Sequence, residues 1–128
     1  MQACSHYQTG RVNKMNYTKL TDYEINCAVA EKLGLDVRSK TSRFGAVLCS
    51  PKGEVQVFKD FCSVPNDYMP IAIEHEISIE YDTLSRSKRE FVLCRFGEDS
   101  PQSRGRVHTR NRTGRAICEC FLMMELDQ

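Results

Sequence analysis

At 128 residues, with 41% hydrophobic and 27% charged side chains, the chain has the make-up of one globular domain with a modest core. Its 18 basic and 17 acidic side chains leave a net charge of +1, which excludes a strong overall field for drawing the molecule onto nucleic acid; any basic site must be local. No run approaches the roughly 18 apolar residues of a membrane-spanning helix, and the N-terminus lacks the apolar core of a signal peptide, so a cytoplasmic protein without membrane contact is expected.

Residues 1–14 are polar and without periodicity, and read as a flexible leader to a single domain over 15–128. Thr21-Asp22-Tyr23-Glu24 is a capping box: the Thr21 hydroxyl can accept an amide three residues on while Glu24 reaches back to the Thr21 amide. A helix is expected there. Ile25, Ala28, Val29 and Leu33 fall on one stripe with Cys27 beside it, Asn26, Glu31 and Lys32 face away, and Gly34 can take the left-handed conformation that ends the helix. After a basic connection from Arg38 to Arg43, the apolar run Phe44 to Cys49, the turn Ser50-Pro51-Lys52-Gly53, and Val55, Val57 and Phe58 predict a hairpin.

The stretch Pro65 to Ile79 is read as a short buried helix feeding a strand. Helix entry between Pro65 and Pro70 is the simplest reading, because Pro65 cannot sit inside a helix whereas Pro70 suits a first turn. Asn66 or Asp67 would cap it, and Ile71, Ala72 and Ile73 would be buried. The strict alternation of Ile77-Ser78-Ile79-Glu80-Tyr81 has the period of a half-buried strand. A polar turn at Asp82 to Arg89 precedes a strand over Phe91 to Phe96, stopped by Gly97. Residues 98–114 read as a long polar, basic loop carrying Arg104, Arg106, His108, Arg110 and Arg112. The last helix, from about Thr113 as N-cap to Leu126, has apolar coverage broad enough to be the central packing element. The fold class expected is α+β: an antiparallel sheet of about four strands packed by N- and C-terminal helices and a short central helix.

Seven scattered cysteines in a chain without an export signal predict reduced thiols packed as small hydrophobes. Cys118 and Cys120 stand two apart on a helix, which aims their sulfurs about 200° from one another, a poor arrangement for one metal ion. Motifs for nucleophilic, zinc-hydrolase or P-loop chemistry are missing, and the Glu74-His75-Glu76 triplet diverges around a helix end. No cofactor or metal is expected, and no catalytic residue. The sharper candidate is the cationic stretch leading to Arg115, since guanidinium groups suit phosphate oxygens and a helix N-terminus adds outward-pointing amides.

The segment over 65–79 resembles the NinX-like proteins of tailed phages, whose members carry Pro, then Asp two residues on, then Pro-Ile three after that, an apolar pair and Glu, then Ile-Ser-Ile. Pro65, Asp67, Pro70, Ile71, Ile73, Glu74, Ile77, Ser78 and Ile79 reproduce that pattern. The opening from Met15 to Asn26 with Ala28-Val29-Ala30 and the closing Arg115-Ala116 with Phe121 to Met124 agree with it, so the resemblance covers most of Met15 to Glu125. It departs at Met69, where members usually carry Trp, and at Arg112-Thr113-Gly114, where they carry Asn-Pro-Leu. The family has no established activity to carry over; the resemblance implies a phage accessory protein in the host cytoplasm.

The function expected is non-enzymatic, an anti-defence sequestration of a small phosphorylated or nucleotide-derived host signal. Arg115, Arg112, Arg110, His108, Asp67 and Tyr68 are the expected ligand-binding residues, with Tyr68 or Tyr81 able to stack on a base. The alternative is an accessory factor in phage recombination or takeover that binds nucleic acid or a host protein, and a nucleotide hydrolase stands third. Ligands of small proteins are often enclosed between subunits, so a homo-oligomer is expected.

Overall fold

The computed structural model describes residues 17–37, 45–84, 89–97 and 104–124. Thr21 and Glu24 close their capping box: the Glu24 amide donates to the Thr21 hydroxyl at 3.2 Å, and the Thr21 amide donates to Glu24 Oε1 at 2.8 Å. That start opens α1 (Asp22–Lys32), just after a 3-10 turn at Tyr17–Lys19, and Gly34 follows with a positive φ of 82°. A side chain other than glycine would be strained at that φ. Next come β1 (Asp36–Val37), β2 (Val47–Ser50), β3 (Val57–Lys59), α2 (Pro65–Glu74), β4 (Ser78–Leu84), β5 (Arg89–Phe96) and β6 (Arg104–Thr109). A second 3-10 turn at Arg110–Arg112 leads into α3 (Thr113–Met123).

The fold is α+β, with three α-helices among the described residues, and the strands form two sheets rather than one of about four. Their orders are β1-β2-β3 and β4-β5-β6, every neighbouring pair antiparallel. The expected hairpin is β2 with β3, and Val47 lies opposite Lys59. In the second sheet Val92 and Cys94 are fully buried, and their cross-strand partners Tyr81, Ile79, His108 and Arg106 share that face. Glu80, Leu93, Arg95 and Val107 take the opposite one.

α3 is the central packing element. Its residues from Thr113 through Leu122 are all buried, and Ile117 and Phe121 are among the largest fully buried side chains. Burying each such side chain stabilises by about 1.5–3 kcal/mol. Cys118 and Cys120 leave opposite sides of the helix: one thiol donates to the Phe61 carbonyl at 3.1 Å, the other to the Cys94 carbonyl at 2.8 Å. Cys49, Cys62, Cys94, Cys118 and Cys120 are free and buried, as expected of structural thiols, and burial pushes Cys94 and Cys120 up to about 12. Cys27 departs from the expectation and is disulfide-bonded.

Several local expectations give way to tertiary context. Asn26 does not face away from the core; it is fully buried, donating to the Gly45 carbonyl and Asp60 Oδ1 and accepting the Cys62 amide, so its amide braces two loops. α2 begins at Pro65 itself, where a missing amide costs nothing, and Pro70 lies inside the helix. Neither Asn66 nor Asp67 caps it; the residue before Pro65 is Val64, which has no side-chain cap bond. Ile71 and Ala72 are buried, but Ile73 is 72% exposed because helical spacing carries it to the far side of Ile71. Thr113 is the first helical residue of α3 rather than its N-cap, a position taken by Arg112. The loop expected over 98–114 is regular where it is described, as β6 and a 3-10 turn. Its strand was masked in the sequence by Arg106 and His108, polar residues on the inward face. The expected leader 1–14 and connection 38–43 lie outside the described residues.

Close approach of α2 to α3 depends on Gly114. A Cβ there would collide with the Tyr68 ring and come within 2.5 Å of the Cys62 carbonyl oxygen, which is backbone and cannot swing away. Gly114→Ala is therefore expected to destabilise by about 1–3 kcal/mol. A urea midpoint equal to that of the unsubstituted protein would refute this packing.

Candidate functional site

Two places gather polar side chains. The first is the start of α3, where Arg115 is only 5% exposed. Its Nε donates to Glu119 Oε2 at 2.6 Å, its Nη1 to Asp22 Oδ1 at 2.6 Å, and its Nη2 to the Tyr17 and Leu20 carbonyls at 3.0 and 2.7 Å. A guanidinium has five N–H donors, so these bonds leave at most one. Glu119, fully buried, also faces His108 Nε2 at 3.0 Å and Arg106 Nε at 3.4 Å, the latter close enough for attraction but not aligned as a hydrogen bond. Asp22 takes a second cation, Arg112, at 2.6 Å. α1, β6 and α3 are thus joined through two carboxylates.

The charges of this cluster shape one another. Burial alone would push Glu119 up, but hydrogen bonds from His108 and Arg115, with their charges, outweigh it and hold the carboxyl below its usual range. Asp22 is likewise pushed up by burial and pulled further down by Arg112 and Arg115. Burial would lower Arg115, and its two carboxylates raise it instead.

The second place is a cleft of about 420 Å³ running along α2. Phe61 and Ile71 form its buried floor, Leu33, Leu35, Pro51 and Pro70 add apolar walls, and Asn66, Asp67, Lys59, Glu74 and His75 stand around it. Leu33 and Leu35 flank the Gly34 turn after α1, and Lys59 ends β3, so three elements meet here. Asp67 accepts the Asp60 amide at 2.9 Å and lies 3.7 Å from the Lys59 ammonium. The His75 ring rests tilted on Phe121, 4.8 Å between centroids. Lys32 approaches the same ring and donates to the Phe121 and Met124 carbonyls, closing the end of α3.

Of the residues expected to bind a ligand, Arg115, Arg112 and His108 come together, but around Asp22 and Glu119 rather than around an open anion site. Arg110 lies in the 3-10 turn, its side chain outside the described residues. Asp67 lines the α2 cleft, and the next residue, Tyr68, packs on Gly114 with its hydroxyl raised by burial. Tyr81 is half exposed and shares a 3.2 Å hydrogen bond with Thr113. Sequence reasoning missed both carboxylates and most of the cleft. One signal was available for the first: Arg115 and Glu119 are spaced i, i+4 inside an otherwise apolar helix face, where a lone acid demands a partner. Among the described residues no group of three or more His, Cys, Asp or Glu side chains is placed to hold a metal, and no helix is long and apolar enough to cross a membrane.

Replacing Arg115 by Met strands Glu119 and part of Asp22, and is expected to cost about 3–5 kcal/mol in chemical denaturation. Adding Glu119→Gln should recover part of that loss, a coupling that a double-mutant cycle reads directly. Because both carboxyls titrate below their unfolded values, the stability they contribute is complete above about pH 5 and is lost as pH falls through the unfolded and then the lower folded values. The decline in urea midpoint below about pH 5 should be shallower in Asp22→Asn/Glu119→Gln; a parallel decline would refute the assignment.

In comparisons with known proteins, no family model, no curated protein and no solved structure matches this chain.

Proposed function

We propose that the protein is a non-enzymatic binder that holds a small molecule with an apolar body in the cleft along α2, an accessory role of the kind implied by the resemblance to the NinX-like phage proteins. The observation that carries this reading is the composition of the cleft: a floor of Phe61 and Ile71, walls of Leu33 and Leu35, and a few polar groups around them. Small-molecule sites are concave, mostly apolar and oriented by a few placed polar groups. The expected phosphate grip at the start of α3 has less support, since Arg115 gives its donors to Glu119, Asp22 and two backbone carbonyls. A bidentate hold on phosphate needs two adjacent donors free.

A second reading, an accessory factor that binds a host protein, draws on β3. Val55, Val57 and Phe58 are 85%, 46% and 44% exposed on and beside a strand at the edge of its sheet. Edge strands with apolar side chains invite pairing with another chain.

The two are separated by a thermal-shift screen of small aryl and alkyl compounds, run on the unsubstituted protein and on Leu35→Trp, which fills the cleft. Stabilisation should grow with ligand excess, reaching about 2.7 kcal/mol at a hundredfold excess over Kd, and should vanish in the variant. If no compound shifts the unsubstituted protein, or if shifts persist in Leu35→Trp, the cleft reading fails.

A further inference from the structure

We infer that the α2 cleft selects a monocation: an alkylamine or arylalkylamine whose ammonium meets Glu74 and whose hydrocarbon body lies over Leu33, Leu35 and Ile71. The inference rests on the reading of the cleft as a small-molecule site and adds the charge of its guest.

Each charged group of the lining has a different standing. Lys59 and Asp67 answer one another at 3.7 Å, and the second oxygen of Asp67 is taken by the Asp60 amide. The Glu74 carboxylate is exposed at the cleft and makes no hydrogen bond or ion pair with another described residue. The uncompensated charge of the cleft is therefore a carboxylate. Its position strengthens the effect, because Glu74 is the last residue of α2 and the C-terminal end of a ten-residue helix carries partial negative charge. A cation placed there meets the carboxylate and the helix end together, whereas a phosphate would meet two carboxylates and only a lysine already answered.

The geometry supplies room for a body as well as a head. Asn66 and Glu74 mark the two ends of the cleft along α2, about 12 Å apart at 1.5 Å rise per residue. Between them the surface is Ile71, Pro70, Leu33, Leu35 and Phe61. Such a surface rewards a hydrocarbon chain or ring and gives little to a hydrated multivalent ion.

The test is isothermal titration of the full chain at neutral pH and low salt with 2-phenylethylamine, the neutral 2-phenylethanol, the anionic 3-phenylpropionate and adenosine monophosphate. Phenylethylamine is expected to bind about fivefold tighter than phenylethanol, the factor that one partly exposed ion pair supplies. Phenylpropionate and the nucleotide should bind more weakly than the alcohol. Glu74→Gln should erase the preference for the amine, and Glu74→Lys should transfer it to phenylpropionate; because Glu74 is exposed and stands at the negative end of α2, neither variant should lower the melting temperature of the unsubstituted protein. If the alcohol, the acid or the nucleotide binds as tightly as the amine, or the preference survives Glu74→Gln, the inference falls and the cleft remains a site of another specificity. If none of the four binds, the inference and the cleft reading fall together.

Discussion

A guanidinium buried between two carboxylates holds this fold in register. Arg115 is almost without solvent, so its charge must be met inside the protein, and Asp22 and Glu119 meet it at 2.6 Å. The same side chain satisfies the carbonyls of Tyr17 and Leu20, which fixes the 3-10 turn that precedes α1. Glu119 then passes the constraint on to His108 and Arg106 of β6, and Asp22 to Arg112. Moving α1 away from α3 would take Asp22 from the buried Arg115, and moving β6 would take His108 and Arg106 from the buried Glu119. The apolar burial of α3 supplies the greater part of the stabilisation, but apolar contact is non-directional. The ion network adds directional contacts that tie α1 and β6 to α3.

That role has a cost for ligand recognition. Cations that a sequence reader would assign to an external phosphate are turned toward the protein's own acids, so the start of α3 is a joint of the fold. The opposite end of the molecule's chemistry lies along α2, where apolar side chains from three elements meet and polar groups are only partly matched. The two regions are linked through α3: Gly114 at its start accepts the Tyr68 ring, and Phe121 near its end supports the His75 ring. α2 is thus held along its length, and its open side forms one wall of the cleft.

Local signals told the truth where the determining groups are neighbours in sequence. The Thr21–Glu24 capping box, the β2–β3 hairpin, the β5 strand and the apolar helix of Ala116, Ile117, Cys120 and Phe121 each declare themselves within a few residues, and each is present. The same reasoning misled where burial was decided from outside the element. Asn26 looked like a surface residue by its polarity, yet it is buried because two loops need its amide. Ile73 looked like core by its apolarity, yet it is exposed because α2 turns a different side to α3. β6 looked like a loop because its inward residues, Arg106 and His108, are polar, and Glu119 faces both of them from α3.

The amino-acid sequence by itself determined the α+β class, the start of α1, the hairpin and the dominance of the last helix, because hydrophobic period and capping chemistry act between residues at most four or five apart. Only the tertiary structure decided what the arginines face and where a cleft opens. Arg115 and Asp22 are 93 positions apart, and nothing in the local pattern of either names the other. The cost of a buried charge is settled by whichever partner the completed fold brings within hydrogen-bond distance, and a hollow exists only between elements that have already packed.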